Sequence, residues 1–159
     1  MIGPNPHFSV ERRFHAACLR AHRRRPRPPA GDEAGRLGDV ECRIELSPAE
    51  LEPEATLGLS DYSHVEVVFG FHLTDRVCRG TQHPRGNPDW PRVGILAQRA
   101  PNRPNHLGVT VCALLSVDGL TLTVRGLDAL DGSPVLDVKP YLPQFAARGR
   151  SASRGGPPS

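Results

Sequence analysis

The sequence predicts an all-β chain that forms a small single-sheeted β-barrel with short helical connections. Five or six short runs have strand periodicity, tight turns separate them, and no helical segment is long enough to connect parallel strands. Sixteen glycines and seventeen prolines among 159 residues also favour short strands and turns over long helices. A chain of this length is typical of one domain.

The strand assignments rest on alternation of apolar and polar residues, or on apolar runs bounded by turn residues. Between Val40 and Leu46 every second residue is apolar, which places the apolar side chains on one face. Asp118-Gly119 lies between two such runs and is the strongest hairpin signal in the chain. The predicted strands are residues 40–46, 64–72, 92–98, 107–117, 120–126 and 135–138.

Charge is distributed unevenly along the chain. Residues 1–40 hold eight arginines against four acids (+4), residues 41–146 nine basic residues against thirteen acids (−4), and residues 147–159 three arginines (+3). The net charge of +3 therefore comes from the two ends. We predict a poorly ordered or divergent N-terminal segment over residues 1–39, a barrel domain over residues 40–146 and a flexible tail after it. The first segment could be an RNA-binding arm or a solvated extension.

Several classes of function are not indicated. No apolar run approaches the roughly 18 residues of a membrane span, so no membrane partner is predicted. The four cysteines contain no C-x-x-C pair and the histidines lack metal-ligand spacing, which predicts reduced thiols in a cytoplasmic protein and no metal site. The chain has no glycine-rich phosphate loop, nucleophile elbow or dinucleotide-binding fingerprint.

The segment 94–108 is the densest in functional side chains. It carries Arg99 and Arg103. Pro101 lies between these two arginines and Pro104 follows them, so a helix is disfavoured over this segment. A stiffened loop with two guanidinium groups is suited to holding an anion with little loss of loop entropy. A solvated, arginine-rich connection is the alternative interpretation.

Three other groups are candidates for a site. His72 ends an apolar run and could be a base, a ligand or a capped core residue. Asp, Gly, Ser and Pro at 131–134 have the chemistry of a turn. Asp137 and Lys139 share one face of the last predicted strand, just before Tyr141. They could form a surface ion pair, or they could line a cleft.

Two of these segments carry a resemblance to a known family. They are an R-x-x-x-R-P-N loop at 99–105 and the run D-G-S-P-V-L-D-V-K-P-Y at 131–141. Over about residues 40–146 the chain resembles the TsaA-like family, whose best-known members are TrmO-type tRNA methyltransferases. The resemblance implies a β-barrel methyltransferase with S-adenosylmethionine as donor, a homodimer with sites near the subunit interface, and tRNA as substrate, modified at N6 of an adenosine.

The resemblance also implies residue roles. The residues that it implies contact the cofactor are His72, Leu73, Arg99, Asp131, Gly132, Ser133 and Pro134. Asp128 is added because a carboxylate there suits a ribose diol or an amine. Arg103 and Asn105 would meet the substrate, together with Asp137, Lys139 and Tyr141, which are the catalytic candidates. Either Asp137 or His72 could be the general base.

The N-terminal segment departs from the family pattern. Family members begin with a first barrel strand, and TrmO-type enzymes add a Pro-Arg-Gln stretch that touches the cofactor. Residues 1–39 contain no such stretch and show no pattern typical of a barrel strand. The alternative function is therefore a non-catalytic module that binds S-adenosylmethionine or a nucleotide. A metal-free hydrolase using the same pocket is less favoured.

Overall fold

A computed structural model describes residues 14–18 and 40–152 of the chain. Within them lie eight strands: β1 (Phe14–Cys18), β2 (Glu41–Leu46), β3 (His64–Gly70), β4 (Thr81–Gln82), β5 (Val93–Gly94), β6 (Leu107–Asp118), β7 (Thr121–Arg125) and β8 (Ser133–Pro140). Six of them form a closed antiparallel barrel in the order β1-β2-β7-β6-β3-β8, and β4 pairs with β5 separately. The short helical connections are 3-10 turns at Pro53–Thr56, Leu59–Asp61, Pro84–Gly86, Ile95–Ala97 and Pro143–Phe145. The predicted all-β barrel is confirmed.

The predicted hairpin at Asp118 is also confirmed. Asp118 pairs with Thr121, so Gly119 and Leu120 form a two-residue loop between β6 and β7. Gly119 has a φ of 53° at the first loop position, a conformation that glycine adopts without steric cost. The loop lies one residue later than the Asp118-Gly119 loop predicted from the sequence, and a β-bulge shifts the pairing again between Leu114 and Ser116. The local signal therefore located the hairpin but not its register.

The expectation that residues 1–39 contain no barrel strand is wrong. β1 pairs with β2 on one side and with β8 on the other, and it thereby closes the barrel. Its sequence, Phe-His-Ala-Ala-Cys, lacks clear alternation, so pairing with two neighbouring strands rather than local pattern defines it as a strand. Residues 1–13, 19–39 and 153–159 lie outside the described part, as do the predictions made for them.

The predicted strand at 92–98 is wrong over most of its length. Only Val93–Gly94 is a strand, and Ile95–Ala97 is a 3-10 turn in which the amide of Gln98 donates to the carbonyl of Ile95. Ile95 is buried while Leu96 is 77% exposed. A short apolar run is compatible with either structure, which is why periodicity could not decide between them.

The last strand is longer than predicted, because it begins at Ser133, within the turn predicted at residues 131–134. The turn itself occupies Asp131 and Gly132, where the amide of Ser133 donates to the carbonyl of Leu130. Gly132 has a φ of 77°, as the third position of a type II turn requires. Ser133 and Pro134 already belong to β8.

Inward-facing residues of the strands form one core inside the barrel. The buried members are Cys42, Ile44, Val65, Val67, Phe69, Cys112, Leu122, Val124, Leu127 and Val135. They alternate with exposed or half-buried residues along β2, β3 and β7, as expected for a sheet with one face packed and one face solvated.

The buried thiol of Cys112 predicts a loss of stability at alkaline pH. Burial raises the pKa of this thiol from 9.0 to about 12. Above pH 9 the unfolded chain releases this proton while the folded chain keeps it, so stability falls as pH rises from 9 towards 12, by about 1.4 kcal/mol per pH unit. Urea unfolding at pH 8.5 and 10.5 should show a steeper decline for the natural chain than for Cys112→Ala.

The matched control for this experiment is Cys78→Ala, because Cys78 is a free cysteine that is only half-buried. Its variant should keep the alkaline decline of the natural chain. Parallel decline of the natural chain and Cys112→Ala would contradict the prediction.

Candidate functional site

A cavity of about 810 Å³ opens where β7 departs from β6. The first half of β6 pairs with β3, but β7 pairs only with β6 residues from Ala113 onward. Among the described residues, the segment 107–112 therefore has a strand neighbour on one side only. Four segments line the cavity. They are Phe69 and Phe71 at the end of β3, six residues of the following loop (Leu96, Gln98, Arg99, Arg103, Pro104 and Asn105), Leu107 to Val111 in β6, and Gly126 with Asp128 after β7.

Residues 71–106, which we call the β3–β6 excursion, form one wall of this cavity. The side-chain amides of Gln82, Gln98 and Asn102 join its separate parts: Gln82 Nε2 donates to Asn102 Oδ1 over 3.2 Å, and Gln98 Nε2 donates to the carbonyl of Val93 over 3.0 Å. A backbone bond of 2.9 Å from the amide of Cys78 to the carbonyl of Asn102 adds to this network. The excursion is thus a cross-linked unit that holds its cavity-facing residues in place.

The two predicted guanidinium groups both line the cavity, as does Asn105. Arg103 donates to the carbonyls of Ile95 and Gln98 and so braces the turn between them. Arg99 donates to the carbonyl of Val109 on the unpaired side of β6. Each guanidinium has five N–H donors, so the backbone contacts of Arg99 leave it able to bind an anion.

The excursion rejoins the barrel through a residue in an unusual conformation. His106 has a φ of 50°, which is uncommon for a residue with a side chain. Its amide donates to the carbonyl of Arg103, and its own carbonyl accepts the amide of Phe71 over 2.8 Å. Such local strain tends to occur at functional sites, and here it fixes the position of Arg103 relative to β3.

Opposite charge and an aromatic wall complete the cavity. Asp128 lines it together with Arg99 and Arg103. The rings of Phe69 and Phe71 meet edge to face, with centroids 5.4 Å apart and planes at 77°. A ligand here would meet guanidinium, carboxylate and aromatic groups at once.

His72 and the turn that precedes β8 form a second group beside the cavity. Ser133 is only 2% exposed, and its Oγ lies 3.2 Å from Nδ1 of His72. Asp131 and Gly132 are exposed in the same turn, and Leu73 is 73% exposed next to His72. None of these residues lines the cavity, but Phe71 does, so the two groups meet at the end of β3.

The three catalytic candidates lie elsewhere on the barrel. Asp137 forms an ion pair with Lys139 on a solvent-exposed face of β8, where Lys139 is opposite Glu66 of β3. The ring of Tyr141 packs near His64, with centroids 6.4 Å apart. None of the three lines the cavity, and their catalytic role stays a prediction.

Some cavity residues were not predicted. Phe71 lies two residues after Phe69, a spacing that places two side chains on the same face of an extended strand, and this could have indicated that both belong to one site. Leu96 was assigned to a strand, which concealed its place at the cavity. Gln98 gave no signal in the sequence, because its role depends on contacts with Gln82 and Val93 across the excursion.

The described residues hold no candidate metal cluster and no membrane-spanning helix. In residues 40–152, no group of three or more His, Cys, Asp or Glu side chains could hold a metal ion. No helix in this part of the chain is long and apolar enough to cross a membrane.

Comparison with known proteins identifies the family. The model of the tRNA-methyltransferase O N-terminal domain matches residues 16–147. The chain belongs to this family. The match confirms the resemblance noted above, and its first residue falls within β1.

Relatives of the TrmO N-terminal domain family share about a third or more of their aligned residues with the chain. A "Probable S-adenosyl-L-methionine-binding protein" of Methanothermobacter thermautotrophicus is 42% identical over 116 residues, which are 72% of this chain and 80% of that protein. The human tRNA (adenine(37)-N6)-methyltransferase is 38% identical over 96 residues, 58% of this chain and 21% of that enzyme.

A solved structure shows the same fold. The crystal structure of TrmO from Pseudomonas aeruginosa superposes with a TM-score of 0.60 at 32% identity, covering 77% of this chain and 52% of that one. The chain therefore spans about half the length of this TrmO and about a fifth of the human enzyme.

Proposed function

We propose that the chain is an S-adenosylmethionine-dependent methyltransferase that acts on N6 of a modified adenosine in tRNA. The observation that carries the proposal is the cavity, in which Arg99, Arg103 and Asp128 surround an aromatic wall in a barrel of the TrmO family. The names of the relatives support the same donor and substrate.

The residues present fit this donor. The cavity's volume of about 810 Å³ lies within the range of about 300–1,000 Å³ common for small-molecule sites. Arg99 suits the carboxylate of the methionine part, because a guanidinium binds a carboxylate through two parallel hydrogen bonds. Asp128 suits a ribose diol, and the half-buried Phe71 offers apolar surface to a base.

In this proposal the protein contributes mainly positioning. When bound, S-adenosylmethionine supplies a methyl group whose carbon–sulfur bond breaks as the bond to nitrogen forms, the electron pair staying on sulfur. The cross-linked excursion and the braced Arg103 hold their groups before the substrate arrives, and such orientation can contribute about 7–11 kcal/mol at best.

We infer that His72, rather than Asp137, is the general base. The attacking N6 must lose a proton, and a neutral imidazole has one ring nitrogen that can accept it. His72 directly follows the cavity residue Phe71, and Ser133 holds its Nδ1. Asp137 is instead paired with Lys139 away from the cavity.

The presence of β1 removes the main reason for the alternative function. A non-catalytic binding module was attractive because the first strand was expected to be missing. β1 occupies the place between β2 and β8 where such a strand closes the barrel.

Incubation of the full chain with total tRNA and donor labelled in its methyl group tests the proposal. We expect label in the tRNA fraction, and a His72→Ala variant that still binds the donor should transfer it at least a hundredfold more slowly, the lower end of the range for loss of a general base. A protein that retains the labelled donor and transfers none would establish a binding module instead.

We also propose that the chain forms a homodimer in the cytoplasm. Leu107, Val109, Val111 and Leu115 occupy alternate positions of β6 and are each about two-fifths exposed, an apolar stripe that a second copy could cover. Cys78 and Cys112 are free thiols, as a reducing compartment maintains. A single-chain mass by sedimentation equilibrium would contradict the dimer.

A further inference from the structure

The positive charge of the barrel domain is concentrated in the β3–β6 excursion. Residues 71–106 hold six arginines against two acids, a net charge of +4. The remainder of residues 41–146 holds three basic residues against eleven acids, a net charge of −8. A mildly acidic domain therefore carries one strongly basic segment.

The arginines of the excursion are available to a partner. The six are Arg76, Arg79, Arg85, Arg92, Arg99 and Arg103, of which all but Arg103 are exposed. Within residues 40–152, Arg125 pairs with Glu41 and Lys139 with Asp137, and neither of these ion pairs involves the excursion.

Backbone hydrogen bonds connect the arginine-bearing stretches to the cavity wall. Arg79 lies between Cys78, whose amide donates to the carbonyl of Asn102, and Gly80, whose carbonyl accepts the amide of Ile95. Arg92 is held across the β4–β5 pair by donation to the hydroxyl and carbonyl of Thr81. Arg79 and Arg92 are thus carried by the same cross-linked unit that presents Arg99 and Arg103 to the cavity.

We propose that the β3–β6 excursion is the docking surface for the phosphate backbone of the RNA substrate. The inference rests on the proposed function, because it places the nucleic acid against the wall of the methyl-transfer cavity. All six basic residues of the excursion are arginines, whose planar forks bind phosphate oxygens through paired hydrogen bonds. RNA held there would present one nucleoside to a cavity of suitable size.

Charge removal at two arginines outside the cavity tests this surface. In the full chain, Arg79→Gln combined with Arg85→Gln should lower the affinity for tRNA at 0.1 M salt about tenfold. It should also reduce the slope of log K against log salt by about 1.5, because each lost phosphate contact removes roughly 0.7–0.9 from the slope. The matched control combines Arg43→Gln with Arg125→Gln, which removes the same charge from exposed positions on β2 and β7.

The outcomes separate this inference from the proposed function. Calorimetry should give the same donor affinity for both double variants and the natural chain. A chain that transfers no methyl group but binds tRNA through Arg79 and Arg85 would leave the docking surface standing and remove the function. Equal loss of tRNA affinity in both doubles would overturn the docking surface. So would binding of phosphatidylserine vesicles, and not tRNA, through Arg79 and Arg85.

Discussion

Replacement of Arg99 by alanine is expected to weaken the binding of S-adenosylmethionine at least tenfold, or about 1.4 kcal/mol. The guanidinium lines the cavity and is anchored to the carbonyl of Val109, so it is already oriented when a carboxylate arrives. The variant loses both the charge and the paired donors of the fork. Isothermal titration calorimetry on the full chain measures the change.

Two further variants test whether the guanidinium of Arg99 itself causes the loss of donor affinity. Arg99→Lys keeps the positive charge but lacks the planar fork, so it should recover only part of the affinity. Arg92→Ala removes an exposed arginine of the same excursion that does not line the cavity, and it should bind the donor as the natural chain does. An unchanged affinity in Arg99→Ala would refute the assignment of Arg99 to the donor.

Replacement of Gly108 by alanine is expected to lower the free energy of unfolding by about 1–3 kcal/mol, the usual cost of overpacking a core. A Cβ at this position would lie 2.5 Å from Cζ of Phe69 and within 3.0 Å of two more ring atoms. Phe69 is only 1% exposed, so its ring cannot move without displacing other core residues or entering the cavity. Urea denaturation at neutral pH measures the loss.

The controls for Gly108 use the same substitution and the same ring. Gly94→Ala should be nearly neutral, because a Cβ there meets nothing within 4 Å. Phe69→Leu removes the ring that an alanine at 108 would strike, so the double variant should be less destabilised than the sum of the two single variants. Full additivity would show that the ring contact is not the source of the cost.

The parts of the fold encoded locally were predictable from the sequence. β2 alternates cleanly, and the β6–β7 hairpin has an Asp-Gly signal, so both were assigned within two residues of their observed ends. β1 was missed because its pairing with β2 and β8, which are distant in sequence, defines it. The 3-10 turn at Ile95–Ala97 was missed because its apolar run also suits a strand.

The sequence was sufficient to identify those residues of the candidate site whose side chains are charged or polar. Arg99, Arg103, Asn105 and Asp128 were singled out from the sequence and share one cavity. The place of that cavity could not be predicted, because it depends on where β7 stops pairing with β6, at Arg125 opposite Ala113, after a β-bulge between Leu114 and Ser116.

The excursion leaves and re-enters the barrel at neighbouring positions. Gly70 pairs with Leu107, and just beyond them the amide of Phe71 donates to the carbonyl of His106 over 2.8 Å. The ends of the insertion are therefore pinned together by the sheet, and loop length adds only slowly to the entropic cost of closure. A change in the length of the segment between these ends would therefore leave the strand pairing of the barrel intact.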